Sequence, residues 1–206
     1  MRISRCEMEK VSVSMIAPYN EHRPAGRTVR TVVPVAGCDE GFFTELAAPF
    51  GAITVVCSER GLRMIHIGDA ESLVSGEMQS LVERPRHTEV STAVRQLREY
   101  LAGRRTTFDL SLDLHGTPFQ VAVWRSLARV PFGRTSTYAA QARSVGRPRA
   151  VRAVGSANGR NPVPIVLPCH RIIASDGTLG GYSGGLHVKE WLLGHESRVS
   201  GGGGRR

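Results

Sequence analysis

Cys169 and His170 are the residues with the clearest chemical potential. They follow the apolar run Val163-Pro164-Ile165-Val166-Leu167, which ends in Pro168, and they precede Arg171. Cysteine attacks as its thiolate, and a free thiol with a pKa of about 8.5 ionises more readily beside an imidazole or a cation. Adjacency alone does not bring two side chains together, and such a pair is more often structural than catalytic. Two later segments favour the chemical reading. Gly180-Gly181-Tyr182-Ser183-Gly184-Gly185 is a glycine-dense loop whose amides can approach a ligand closely. A short helix is predicted over 188–196; it carries Trp191 and ends at His195-Glu196, where a carboxylate is available to orient a histidine. The remaining cysteines, Cys6, Cys38 and Cys57, lie far apart with no Cys-x-x-Cys pair, which argues against a disulfide framework and a zinc ribbon. No cysteine and histidine spacing identifies a metal site.

Such a site needs elements to hold it. With 206 residues, 41% hydrophobic and 22% charged, the chain has the composition of a globular protein of one large or two small domains. Its apolar runs fall far short of the roughly 20 residues of a membrane span. Arg2, Arg5, Glu7, Glu9 and Lys10 interrupt any signal-peptide apolar region, so the expected compartment is the cytosol. Residues 1–41 mix prolines, glycines and charges without a period and are expected to be a poorly ordered extension. Strands are predicted over 42–47, 52–58 and 62–68, separated by turns at Pro49-Phe50-Gly51 and Glu59-Arg60-Gly61. In the second strand Ile53, Val55 and Cys57 share a face, which assigns Cys57 to the core.

Val90, Ala93, Val94, Leu97, Tyr100 and Leu101 recur at helical spacing, predicting an amphipathic helix over 89–102 that Gly103 stops. Phe108, Leu110, Leu112 and Leu114 alternate with polar residues, as in a half-buried strand or an extended connector. The boundary between two domains, 42–113 and 114–198, is placed there. Thr117-Pro118 open a helix with Phe119, Val123, Leu127 and Val130 on one face and Trp124 packed beside them. Helices over 137–144 and 148–158, separated by Gly146 and Pro148, form a helix-turn-helix candidate. The glycine run before Arg205 and Arg206 predicts a flexible tail over 199–206. The net charge is +9, and from Leu114 through Ser175 there is no acidic residue, while Arg125, Arg129, Arg134, Arg143, Arg147, Arg149, Arg152, Arg160 and Arg171 fall in that stretch. An acid-free segment of this kind reads as a phosphate-facing surface that releases condensed counterions on binding, against the plainer alternative of a solvated basic face.

Pro168-Cys169-His170-Arg171, then the glycine-dense loop, then Lys189-Glu190-Trp191-Leu192-Leu193-Gly194-His195-Glu196 resemble, in that order, the C-terminal domain of the O6-alkylguanine-DNA alkyltransferases, also called methylated-DNA-protein-cysteine methyltransferases. Phe119-Gln120 with Trp124, Pro131-Phe132-Gly133, Thr137-Tyr138, Arg152-Ala153-Val154-Gly155 and Asn158-Gly159-Arg160-Asn161-Pro162 extend the resemblance. Residues 42–113 resemble the family's first domain more loosely, and residues 1–41 match nothing in it. The implied fold is α+β, with a small N-terminal α/β domain of ribonuclease H-like form and a C-terminal winged-helix-like helix-turn-helix domain that carries the alkyl acceptor.

The resemblance implies direct-reversal DNA repair in a single irreversible turnover, without cofactor. Cys169 would accept the alkyl group of O6-alkylguanine in double-stranded DNA, with O4-alkylthymine as a second candidate substrate. His170 would take the thiol proton through a water, Glu196 would fix the histidine tautomer, and Tyr138 would donate a proton to the departing guanine. Asn161 would join the recognition helix to the active-site strand. The base must leave the duplex to be reached; Arg152 would fill its place, on a helix whose Ala153 and Gly155 allow close approach, with Thr137 and Arg149 also at the DNA. Tyr182, Ser183, Ile172 and Pro164 would line the substrate pocket, with Ser183 bonding O6 and the Cys169 and Ile172 carbonyls reading the guanine edge. The protein would act as a monomer. Three alternatives differ in one property each. An alkyltransferase-like damage sensor lacks the acceptor cysteine, a DNA-binding regulator needs a second DNA-binding domain, and a Cys-His hydrolase turns over.

Overall fold

The protein is described by a computed structural model that covers residues 10–11, 41–74 and 81–201. Most of the predicted extension over 1–41 and of the tail over 199–206 lies outside the described residues. β1 (Lys10–Val11) pairs antiparallel with β6 (Leu110–Ser111). The three predicted strands form an antiparallel meander, β2 (Gly41–Ala48), β3 (Gly51–Ser58) and β4 (Gly61–Ile67). A short helix α1 (Glu71–Val74) and a strand β5 (Leu81–Glu83), neither predicted, follow; β5 adds in parallel beside β2, giving the order β4-β3-β2-β5. Three residues carry too little pattern for β5 to be read in advance. Ile53 to Ser58 are buried throughout, so both faces of β3 are covered and Cys57 lies in the core.

α2 (Thr88–Leu101) packs Val90, Ala93, Val94, Leu97 and Tyr100 against the sheet. It ends at Gly103 (φ 71°), where the amides of Gly103 and Arg104 bond the carbonyls of Tyr100 and Glu99, an αL stop that glycine adopts without a Cβ penalty. From there the chain runs mostly without ladder pairing. The Gln96 amide brackets Asp109 (2.6 and 2.8 Å), and only β6 and one bridge from Leu62 to Leu112 are strand-like. Gly61 (φ 130°) lets β4 pass so close to Ser111 that a Cβ would collide with the Ser111 carbonyl. Buried Asp113 then ties the connector to the sheet, accepting from Ser58 (2.7 Å), Arg63 (2.8 Å) and Arg60 (3.1 Å).

α3 (Pro118–Leu127) begins with a capping box. Thr117 accepts from the Gln120 amide and Gln120 accepts from the Thr117 amide, a reciprocal arrangement that satisfies two otherwise unpaired donors. Trp124 is buried, and its indole N–H reaches the Ala157 carbonyl at 2.7 Å. β7 (Ser136–Thr137) leads into α4 (Tyr138–Ser144), capped by Thr137 Oγ1 on the Ala140 amide. Gly146 (φ 69°) turns the chain into α5 (Val151–Asn158), which starts three residues later than predicted because residues 148–150 form a turn. Gln141 of α4 and Asn158 of α5 bond each other's side-chain amides (2.7 and 3.3 Å) in the buried seam between these helices. The active-site segment continues through a 3-10 turn (Cys169–Arg171) into β8 (Ile172–Ile173), parallel to β7. α6 (Leu186–Gly201) closes the fold and extends to Gly201, past the predicted start of the tail. No helix among the described residues is long and apolar enough to cross a membrane.

Candidate active site

The segment before Cys169 is not a strand, although its composition is rich in β-branched residues. It is a folded loop stitched by Asn161. Asn161 Nδ2 donates to the Leu167 carbonyl (2.7 Å) and to Cys169 Sγ (3.2 Å), while Oδ1 accepts from the Val163 amide (3.1 Å). The Leu167 amide bonds back to Val163, and the Ile65 amide of β4 reaches across to the Pro162 carbonyl at 2.8 Å. Ile165 sits at φ 73°, the one non-glycine described at positive φ, a conformation sterically costly for a β-branched residue. Pro168 (φ −82°, ψ 67°) then makes an inverse γ-turn, with the Cys169 amide on the Leu167 carbonyl at 2.8 Å. These turns aim Cys169 at a cavity of about 390 Å³ lined by Tyr138, Gly155, Asn158, Gly159, Gly180, Gly181, Tyr182 and Ser183. The β7–β8 pairing brings Tyr138 there, since it sets the residue after Thr137 alongside the strand that follows the 3-10 turn.

Burial outweighs the neighbours at Cys169. It pushes the thiol up, against the Asn161 hydrogen bond, the Lys189 charge and nearby backbone amides. Basic surroundings alone led to the opposite expectation, so a base must take the proton. His170 is fully buried and its Nε2 lies 2.9 Å from Glu196 Oε1, which makes Nε2 the donor and leaves Nδ1 with a free lone pair. Burial holds His170 below the usual imidazole range despite the pull of Glu196. Burial also pushes the Glu196 carboxyl up, but hydrogen bonds and charge from His170 and Arg171 prevail and bring it to about 2. Glu196 accepts in addition from Tyr100 Oη (2.7 Å) and the Gly133 amide (2.9 Å). Tyr138 and Tyr182 both rise above the ordinary phenol range, first through burial and then through the negative charge of an ionised Cys169, and so stay protonated at neutral pH.

Three expectations change. Ile172 and Pro164 are buried but do not line the cavity; Ile172 belongs to the hydrophobic core, and its carbonyl accepts Lys189 Nζ at 2.6 Å. Arg171, counted among the phosphate-facing arginines, is buried and holds Glu196 (2.9 Å) and the Val130 carbonyl (2.7 Å). The other eight arginines of that stretch are exposed. Arg149 and Arg152 lie beside and on α5 with exposed Ala153, and Gly155 of the same helix reaches the cavity. Lys189 and Tyr100 were not singled out. Lys189 Nζ, fully buried, joins the carbonyls of Ile172 and Leu179 (2.6 and 2.5 Å) and so holds the two ends of the loop before Gly180. A larger, mostly apolar cavity of about 510 Å³ is bordered by Phe108, Phe132, Val166, Leu167 and Pro168, and its lining holds no cysteine or histidine.

Residues 118–198 match the family described as 6-O-methylguanine DNA methyltransferase, DNA binding domain, and residues 42–114 match its ribonuclease-like domain. The methylated-DNA–protein-cysteine methyltransferase of Methanosarcina barkeri is 41% identical over 152 residues, which cover 74% of this chain and 94% of that one. The chain belongs to this methyltransferase family. The constitutive methyltransferase of Bacillus subtilis is 39% identical over 160 residues, covering 77% of this chain and 96% of that protein. Among solved structures, Mycobacterium tuberculosis OGT in complex with DNA is similar with a TM-score of 0.69 and 38% identity, covering 77% of this chain and 94% of that chain. The fold is accordingly α+β, a ribonuclease-like sheet domain followed by a helical DNA-binding domain. The activity of this methyltransferase is repair of O6-methylguanine in DNA by transfer of the methyl group to a cysteine of the protein.

Proposed function

We propose that Cys169 is the acceptor cysteine and that His170, Glu196, Tyr138 and Asn161 serve it. The observation that carries this reading is the contrast between the two described thiols. Cys169 faces an open cavity beside a buried histidine–carboxylate pair, whereas Cys57 is sealed in the core with its thiol pushed up to about 12, chiefly by burial. His170 Nδ1 takes the thiol proton through a water while Nε2–H stays on Glu196. The thiolate attacks the methyl carbon as the bond from that carbon to O6 breaks, and the electron pair leaves with guanine. Charge gathering on the departing base is met by the Tyr138 phenol, which gives up its proton, because a donor placed where charge develops lowers the barrier. Asn161 keeps Sγ on the cavity side and bonds the anion.

The methyl carbon of a stacked base is out of reach, so the base is rotated into the cavity at a cost of about a few kcal/mol. α5 lies in the minor groove and Arg152 enters the stack in place of the base; Arg149 and the start of α4 at Thr137 meet phosphates. Small Ala153 and Gly155 on α5 support a close approach. Ser183, exposed at the cavity rim, bonds O6, and Tyr182 flanks the alkyl group. Pro164 and Ile172 act from behind, as packing under Cys169 and under the base. The thioether has no route back to thiol, so each molecule acts once. Leu186 is the only large exposed hydrophobic residue among those described, which supports a monomer.

The test is incubation with excess duplex oligonucleotide carrying labelled O6-methylguanine. One methyl per molecule, mapped to Cys169, is expected, with Cys169→Ala unlabelled yet still binding the duplex. Label on another cysteine, or repeated turnover, would sink the assignment.

A further inference from the structure

Tyr100 belongs to the first domain, on the last turn of α2, yet its hydroxyl donates to the same Glu196 oxygen that accepts from His170 Nε2; the two distances to Oε1 are 2.7 and 2.9 Å. We propose that Tyr100 is a positioning residue for methyl transfer, supplied by the ribonuclease-like domain to hold the Glu196 carboxylate and to limit its pull on His170. The proposal rests on the histidine–carboxylate reading of the site given above.

The surroundings leave the phenol no other task. Tyr100 is fully buried, with its ring against Phe108, Phe132 and His195, and its hydroxyl has Glu196 as acceptor. A buried phenol finds a partner as a rule, but this one finds it in the relay that serves the nucleophile, 96 residues further along the chain. His195 secures the same helix end by bonding the Tyr100 carbonyl at 2.8 Å. The charged and titratable groups facing this cluster are His170 and Arg171 of the 3-10 turn, His195, Glu196 and Lys189 of α6, and Tyr182 of the glycine-rich loop. Arg171 already offers Nε and Nη2 to Glu196, so its carboxylate is shared among donors from three parts of the chain. Removing one donor concentrates the negative charge on the others. His170, the partner that can take up a proton, then becomes more basic.

The experiment follows the transfer rate against pH in the full-length protein, with labelled O6-methylguanine duplex in single-turnover conditions. In Tyr100→Phe, the acid limb of the profile moves up by about one pH unit, because a more basic His170 is protonated, and so unable to act as a base, at higher pH. Phe108→Leu, which loosens the packing of the same ring but touches no relay atom, leaves the limb in place. 3-Fluorotyrosine at position 100, a stronger donor of nearly the same shape, moves the limb down and tests the idea without removing the hydroxyl. In a Glu196→Gln background, Tyr100→Phe shifts nothing further. An unmoved limb in Tyr100→Phe, or an equal shift in Phe108→Leu, overturns the proposal. Slow transfer by Glu196→Gln alone keeps the relay reading standing in that event, and wild-type transfer by Glu196→Gln overturns both.

Discussion

Glu196 shows at the scale of one residue how stability and chemistry are linked. Its carboxyl lies at about 2 in the folded protein, against about 4.3 in an unfolded chain. The native state therefore binds fewer protons, and the stabilisation is fully present above about pH 4.3 and is lost as pH falls towards 2. His170 acts in the same direction from higher pH. Burial holds its pKa below the ordinary imidazole range when folded, so as pH falls below about 6.5 the unfolded chain takes up a proton before the native state does. Denaturant midpoints are expected to fall from about pH 6.5 downward and more steeply below 4.3, where on the order of 3 kcal/mol is at stake. Glu196→Gln should flatten the lower part; a wild-type midpoint unchanged from pH 7 to pH 3 would contradict the linkage. Cys169, His170 and Glu196 were legible in the sequence because they sit in dense motifs of chemically distinctive residues. Tyr100 was legible only as part of an apolar helical stripe, since nothing in a single helix reveals which polar group its phenol meets across the molecule. Lys189 was hidden for the opposite reason: a lysine near the start of a helix is ordinarily solvated, and only the tertiary structure shows it capping two carbonyls. Ile165 carries competing demands. Its backbone favours glycine by roughly 1–2 kcal/mol, whereas truncating a buried Ile costs about 2–5 kcal/mol, so the aliphatic side chain prevails.

Among the elements, strands and helices with a sustained period were readable, and the boundaries of β2, β3, β4 and α2 fall within one residue of their predicted positions. Residues 163–167 were legible only as a buried apolar run; Asn161, two prolines and an αL residue fold it into a loop and not the active-site strand that the resemblance implied. The glycine-rich loop depends equally on an element far away in sequence. A Cβ on Gly184 would stand 2.5 Å from Ile67 Cδ1 and 3.0 Å from the Tyr182 ring, so the end of β4 presses on the loop that frames the cavity. Gly184→Ala should cost about 1–3 kcal/mol as overpacking and slow transfer by displacing Tyr182. Adding Ile67→Ala removes the nearer obstruction and should restore part of both, measured by thermal denaturation and single-turnover kinetics. Additive losses in the double variant would show that the two positions do not press on each other.

For the whole molecule, charge and core divide the work. Eight exposed arginines on the acid-free stretch face outward, and binding through them should weaken steeply with salt. A phosphate-contacting arginine contributes a slope of about 0.9 in log affinity against log salt, so Arg149→Ala should reduce the measured slope by about one without changing preference for the lesion. A slope unaltered by the substitution would remove Arg149 from the phosphate contacts. Inside, one hydrophobic core runs from Phe42 and Ile53 of the sheet, through Tyr100 and Phe108, to Leu167, Cys169 and Leu192. The Ile65 amide on Pro162 crosses between the halves as well. The two regions that match separate family descriptions are therefore not interchangeable modules. A chimera joining this first half to a relative's second half inherits mismatched partners at β4, α2 and α6. Such hybrids will succeed only when those contact residues travel together, so the unit of inheritance here is the seam and not either half.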